Sequence, residues 1–129
     1  MECEWLTLEA VLILHDEQLA EHGGSEGLRD RGLLESALAR PRQLAAYGKS
    51  PDIAALAAAY AFGIAKNHPF VDGNKRAAWL SAATFLDLNR RQIEAGQAQV
   101  VVVMEAVARG EVTERQLALW LRERLAPVR

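Results

Sequence analysis

The chain has 129 residues, half of them apolar, and 15 lysines and arginines against 17 aspartates and glutamates, for a net charge of −2. This length gives one domain with a core of its own, and the high apolar fraction excludes a disordered chain. The near-neutral charge argues against a dedicated nucleic-acid binder, and the single Cys3 cannot form an internal disulfide, which favours a reducing compartment.

The chain begins with the acidic segment Met1–Glu4, where a signal peptide would be basic, so we expect a cytoplasmic protein.

Helix signals dominate the first half of the chain. Thr7 and Asp30 are typical helix caps, and Pro41 is expected to end a helix because it lacks an N–H donor and clashes with the preceding turn. These signals predict helices over about Leu8–Glu21 and Arg31–Ala39, and a connection over Arg42–Ser50.

The third predicted helix, about Asp52–Lys66, starts after Pro51 and is apolar on nearly all sides. A helix with that pattern is buried on most of its surface. Its uncharged stretch covers the 13 residues from Ile53 to Ala65, whereas a helix that crosses a bilayer needs about 20. We therefore expect a core helix and no membrane contact.

The second half of the chain predicts three more helices, although the β-branched run Val100–Val103 weakens one of them. Their expected extents are Asn74–Leu88, Gln97–Arg109 and a helix capped by Thr113 that runs to about Leu125. The whole chain, residues 1–129, is thus predicted to be a single all-α domain. It is a compact six-helix bundle whose third and fourth helices are central, and a short loop joins those two helices.

That loop carries most of the residues that suggest chemistry. It reads His68-Pro69-Phe70-Val71-Asp72-Gly73-Asn74-Lys75-Arg76. Pro69 disfavours helical geometry in the residue before it, so the third helix should end with the His68 imidazole at its rim. An imidazole titrates near neutral pH, which makes His68 a candidate general base. Phe70 is a large apolar residue in a polar loop and is expected to anchor the loop to the core.

The second half of the loop predicts an anion site. Gly73 permits close backbone approach, and Asn74 begins a helix whose free N–H groups and positive dipole end face the loop. Lys75 and Arg76 add two cations, and arginine can bind phosphate through two hydrogen bonds. Asp72 is best explained as a ligand of Mg²⁺, which bridges carboxylates and phosphates. Each feature alone is common in ordinary caps and turns, but together they favour a functional site.

Three polar residues outside the loop are predicted to have structural roles. His15 lies on the apolar face of the first helix, so we expect a hydrogen-bonded histidine in the core or beside the site. Arg29 and Asp30 are expected to form an ion pair and a helix cap.

The string His68-x-Phe70-x-Asp72-Gly73-Asn74-Lys75-Arg76 resembles the signature of the Fic fold family, in particular its death-on-curing (Doc) toxin branch. Typical Fic nucleotidyl transferases have glycine at the position of Lys75 and a second arginine at that of Trp79, and both differences match the Doc branch. Gly73, often alanine in Doc relatives, is closer to the Fic pattern. The resemblance also includes His15-Asp16, Gly23-Gly24 and residues 27–41, and it covers nearly the whole chain.

The resemblance implies a toxin kinase with a six-helix Fic/Doc-type fold. Doc toxins transfer the γ-phosphoryl group of ATP to a threonine hydroxyl of elongation factor Tu, which halts translation. By this resemblance His68 is the catalytic base and Asp72 holds Mg²⁺. The residues that bind the phosphates of ATP are Gly73, Asn74, Lys75 and Arg76.

Two alternatives remain. One is a Fic-type transfer of AMP to a protein hydroxyl, and the other is a non-catalytic helical interaction module.

Fic enzymes are commonly inhibited by a Ser/Thr-x-x-x-Glu-Gly/Asn motif, which this sequence lacks. The family resemblance therefore implies a separate inhibitor, an antitoxin of the prevent-host-death type, whose C-terminal segment folds as it binds a groove.

Overall fold

The computed structural model describes residues 2–128, and six helices carry most of the regular structure there. Four of them are capped by a side chain that accepts a hydrogen bond from the backbone N–H three residues later, and these caps are Thr7, Asp30, Asp52 and Thr113. The helices are α1 (Leu8–His22), α2 (Arg31–Tyr47), α3 (Ile53–Asn67), α4 (Asn74–Leu88), α5 (Gln97–Ala108) and α6 (Glu114–Arg122). The predicted all-α fold is confirmed.

Helix α3 is the centre of the bundle, as its sequence predicted. Ten of its fifteen residues are buried, and it packs most extensively against α4, α2 and α6. Its small residues allow close packing, since a Cβ at Gly63 would lie only 3.3 Å from Ala37 of α2. Among residues 2–128, no helix has the combination of length and hydropathy that a bilayer crossing requires.

The predicted end of the second helix at Ala39 is wrong, because α2 continues through Pro41 to Tyr47. An interior proline costs a helix about 3 kcal/mol. Here Pro41 is itself buried, and Leu44 and Ala45 beyond it pack against the core. Apolar burial of this kind offsets the local cost, so most of the predicted connection over Arg42–Ser50 is helical.

The C-terminal segment also differs from the prediction. Helix α6 ends at Arg122, and the chain then forms strand β2 (Leu125–Pro127), which pairs antiparallel with β1 (Arg91–Ile93). Ile93 lies opposite Leu125, and both side chains pack against the core. This two-stranded sheet ties the end of the chain to the segment that follows α4, and three residues per strand are too few to give an alternating sequence pattern.

Candidate active site

The predicted loop joins the two central helices, and its first residue has an unusual backbone. His68 follows the last residue of α3 and has φ 53° and ψ 53°, in the left-handed region. The third helix therefore ends at His68, as Pro69 predicted, and the imidazole is exposed. A non-glycine residue with positive φ is uncommon and is kept in place only by its surroundings.

Arg29, from the segment between α1 and α2, supplies those surroundings. Its Nε donates to the backbone oxygen of His68 at 2.8 Å, and its Nη2 donates to that of Asn67 at 3.0 Å. Its backbone N–H donates to Pro69 O at 2.7 Å. A cation thus satisfies the free carbonyls at the negative end of the α3 dipole. The predicted Arg29–Asp30 ion pair is replaced by this contact, whereas the Asp30 cap is confirmed.

His15 and Phe70 pack together on the buried side of the loop. The two rings stack with centroids 3.8 Å apart, and each residue is at most 2% exposed. His15 Nε2 donates to the backbone oxygen of Asp72 at 2.8 Å. The predictions that His15 is a hydrogen-bonded histidine beside the site and that Phe70 anchors the loop are both confirmed.

The side chain of Asn74 lies inside the loop. Its Oδ1 accepts from Phe70 N at 2.9 Å, its Nδ2 donates to Phe70 O at 2.9 Å, and Nδ2 lies 3.1 Å from His68 Nδ1. The residue is 4% exposed. The side-chain amide of Asn74 thus contacts other residues of the loop. Only its backbone N–H is available for the predicted contact with phosphate.

Asp72 presents an exposed carboxylate beside this network. It accepts hydrogen bonds from Ser25 N at 3.1 Å and Gly73 N at 2.8 Å, and these bonds, that from Ser25 first, lower the pKa of Asp72. The group is therefore ionised and offers the hard oxygen ligands that Mg²⁺ prefers. Within residues 2–128 no three acidic, histidine or cysteine side chains gather around one point, so a metal here needs further oxygens from its ligand.

Two cations complete the site on the first turn of α4. The Lys75 and Arg76 side chains are exposed, and neither forms a salt bridge with any described residue. Gly73, with φ 76°, is the N-cap of α4 and gives the helix no side-chain cap, so N–H groups of the first turn have no intrahelical partner. His68, Asp72, Lys75 and Arg76 all face one cavity of about 1110 Å³.

Sequence reasoning missed Gln18 of α1, which also lines this cavity. Gln18 is 4% exposed, and within the described residues its Nε2 has no hydrogen-bond partner. A Cβ at Gly73 would collide with that Nε2 atom. Its position three residues after His15, on the same face of α1, is the signal that could have identified it.

Comparison with known proteins identifies the family of the chain. The family model described as Fic/DOC matches residues 5–86. Toxin Doc of Mycolicibacterium smegmatis is 48% identical over 75 residues, which are 57% of this chain and 57% of that protein. Protein kinase doc of Escherichia phage P1 is 32% identical over 114 residues, which are 88% of this chain and 90% of the phage protein. The chain therefore belongs to the Fic/DOC family.

Proposed function

We propose that this chain is the toxin of a toxin–antitoxin pair and transfers the γ-phosphoryl group of ATP to a threonine hydroxyl of elongation factor Tu, which halts translation. The observation that carries the proposal is one cavity lined by the exposed His68 and by Lys75 and Arg76, two cations that form no salt bridge within residues 2–128. The names of the two relatives, a toxin and a protein kinase, support the same function.

Each residue has a definite role in the proposed reaction. Lys75, Arg76 and the backbone N–H of Asn74 bind phosphate oxygens and neutralise charge on the transferred group. The N–H of Gly73 already donates to Asp72, so Gly73 contributes through its backbone conformation and lack of a side chain. His68 takes the proton of the attacking hydroxyl, a contribution typically worth 10²–10⁴-fold in rate. Rigid helices on both sides of the loop keep these groups in position.

Asp72 fits Mg²⁺ in this scheme. It is ionised and exposed, and its hydrogen bonds from Ser25 and Gly73 fix the direction of the carboxylate. Phosphate oxygens would supply the other ligands. When bound, the ion would neutralise charge on the phosphates of the nucleotide.

Nucleotidyl transfer is the second candidate, and Gly73 favours it because the Fic pattern has glycine at this position. Lys75 opposes it, since a lysine fills the space where Fic transferases have a glycine and adds a cation. A non-catalytic module is a weaker candidate, because both His68 and Asp72, which a module would not need, are retained in this sequence.

The same cavity offers a surface for the proposed antitoxin. Beyond the loop it continues past apolar side chains of α4 and α5, among them Trp79, Val100, Val101 and Met104. Val101 is 52% exposed. An amphipathic segment of an antitoxin that folds on binding would bury such a surface and cover the entrance to the phosphate site.

The decisive experiment is intact-mass analysis of elongation factor Tu after incubation with the chain, ATP and Mg²⁺. We expect the mass increment of one phosphoryl group, and an adenylyl increment would instead support the second candidate. His68→Ala should abolish the increment while the fold is retained. His22→Ala is the matched control, since His22 lines the same cavity outside the loop. An unmodified factor would contradict the proposed target.

A further inference from the structure

The orientation of the Asn74 amide is fixed by the backbone around it. Its Oδ1 accepts from Phe70 N–H, and its Nδ2 donates to Phe70 O, both at 2.9 Å. Rotating the amide by half a turn would place an oxygen against a carbonyl and an NH₂ group against an N–H. The atom that lies 3.1 Å from His68 Nδ1 is therefore an N–H donor.

This contact determines where the neutral imidazole carries its proton. A neutral histidine has one N–H and one bare nitrogen, and the hydrogen bond at one nitrogen selects the tautomer. Because Asn74 can only donate to Nδ1, Nδ1 is the bare nitrogen and Nε2 carries the hydrogen. The opposite tautomer would set two N–H groups against each other and leave a buried amide hydrogen without an acceptor.

We propose that Asn74 is a positioning residue that holds His68 as the Nε2–H tautomer, so that the free site presents a hydrogen-bond donor, and not a base, to the cavity. His68 is exposed and Asn74 is 4% exposed, so the restraint lies on the buried side of the ring. In this state Nε2–H can donate to a phosphate oxygen, and together with Lys75 and Arg76 it makes a third donor for an anion.

The consequence for catalysis rests on the proposed function. Before Nε2 can act as the base, Nδ1 must take a proton from water and Nε2 must release its own proton to water, which breaks the hydrogen bond from Asn74. The bare Nε2 then takes the proton of the acceptor hydroxyl while the new oxygen–phosphorus bond forms. The bond from the γ-phosphorus to the bridging oxygen breaks, and ADP leaves with that electron pair. Asn74 therefore controls access to the basic state of His68.

The tautomer can be read directly from long-range ¹H–¹⁵N correlation spectra of the ¹⁵N-labelled chain at about pH 8.5, where a free imidazole is neutral. The chain has three histidines, and His68→Gln identifies the signal of His68. His15 is an internal standard, because its Nε2 donates to a carbonyl oxygen, which fixes the Nε2–H form. We expect His68 to match the pattern of His15, with the Nε2–H form in excess by about tenfold or more. A predominant Nδ1–H form, or an even mixture, would overturn the proposal.

Asn74→Asp then tests whether Asn74 is the cause. The carboxylate has the same shape but only accepts, so Nδ1 of His68 should become protonated. Asn89→Asp is the matched control, since Asn89 bridges Glu4 N, Glu4 O and Phe85 O with the same pattern far from the site. Retention of the Nε2–H form in Asn74→Asp would also refute the proposal. If that variant does not fold, the spectrum of the unchanged chain still decides.

Failure of this proposal is distinguishable from failure of the proposed function. The spectra need neither ATP nor a target protein, so an Nε2–H signal supports the role of Asn74 even in a chain that modifies nothing. Conversely, a phosphoryl increment on elongation factor Tu together with an Nδ1–H signal would keep the function and remove the role of Asn74.

Discussion

At the scale of single residues, Gly73 meets two separate demands. Its φ of 76° lies in the left-handed region, and a Cβ on it would collide with Nε2 of Gln18, whose Cδ would be 3.2 Å away. We expect Gly73→Ala to lower the free energy of unfolding by about 1–3 kcal/mol, through backbone strain and overpacking together. Urea denaturation measures the change.

Two further variants separate these causes. Gly23→Ala has no atom within 4 Å of its Cβ and so tests backbone strain without overpacking, but at φ 81° and ψ 178° its strain exceeds that of Gly73, whose ψ is 21°, and it gives an upper bound on the backbone part. Gln18→Ala combined with Gly73→Ala removes the collision and should recover part of the loss in a double-mutant cycle. If the losses of unfolding free energy for Gln18→Ala and Gly73→Ala simply add in the double variant, Gln18 does not contribute to the cost of Gly73→Ala.

Lys75 distinguishes the two transfer reactions. Its side chain is exposed on the first turn of α4, beside Arg76. We expect Lys75→Gly to slow phosphoryl transfer by about 10²–10³-fold, as loss of one stabilising donor does elsewhere, and to permit a trace of AMP transfer by reopening space. Lys75→Met should lose phosphoryl transfer without that gain, because the space stays filled.

The measurement for both variants is the mass increment on the target protein. Arg31→Met is the control for loss of a cation, since Arg31 lies on the exposed surface of α2 and, among residues 2–128, forms a salt bridge only with Glu35. If the unchanged chain attaches AMP and Lys75→Gly only accelerates that reaction, the kinase proposal is wrong.

At the scale of elements, the end of α3 and the segment before α2 act as one unit. Arg29 ties Asn67, His68 and Pro69 to that segment. Arg29→Met keeps the aliphatic stem but removes both side-chain hydrogen bonds, so His68 should lose its fixed backbone. We expect kcat for transfer to fall by about tenfold or more while KM for ATP changes little, because misplacement of a catalytic group affects the reacting geometry.

Steady-state kinetics with varied ATP separate the two parameters. Arg31→Met, two residues along the chain, is again the matched control. Unchanged kcat in Arg29→Met would mean that the backbone hydrogen bonds from Arg29 and Asp30 to Pro69 position His68 without the side chain.

The elements that sequence predicted well are those whose signals are local. The caps Thr7, Asp30 and Thr113 act within one turn, and all three are confirmed. The prediction that Pro41 ends the second helix is wrong because the local cost of the proline is offset by packing of Leu44 and Ala45 against the core. No local sequence pattern indicates that packing. Likewise the run Val100–Val103 stays helical because Val103 and neighbouring side chains of α5 are buried.

The candidate site was predictable only in part. The motif identified the loop, and the structure brings His68, Asp72, Lys75 and Arg76 to one cavity. The contacts that hold the loop come from α1 and the segment after it, through His15, Gln18 and Arg29. These residues lie 39–57 positions away in sequence from their partners at His68, Asp72 and Gly73. Sequence periodicity within one helix contains no information on such distant pairs.

At the scale of the whole molecule, one ion pair joins the start of the central helix to the last helix. Asp52 caps α3 and also accepts two hydrogen bonds from Arg122 of α6, 70 residues away, one of them at 2.9 Å from Nη2. The hydrogen bond from Arg122 is the main reason that the pKa of Asp52 is lowered from 3.8. The folded state therefore favours the ionised carboxylate.

The sign of the pH effect follows from this lowered pKa. Stabilisation from Asp52 is fully present above the ordinary aspartate pKa and is lost as pH falls through the lower folded value. Asp52→Asn keeps a side-chain cap and removes the charge. At pH 7 we expect it to lower the free energy of unfolding by less than about 1 kcal/mol, because the Asp52–Arg122 pair is partly exposed to solvent. The difference from the unchanged chain should shrink as pH falls from about 5 to below about 3.

Urea midpoints at neutral and acidic pH measure this difference, and Asp16→Asn, at an exposed position of α1, is the control. Asp52→Ala should lower the free energy of unfolding by about 1 kcal/mol more than Asp52→Asn does at every pH, since it also removes the cap of α3. A difference between Asp52→Asn and the unchanged chain that persists unaltered at pH 3 would show that the charge of Asp52 contributes nothing to holding α3 and α6 together.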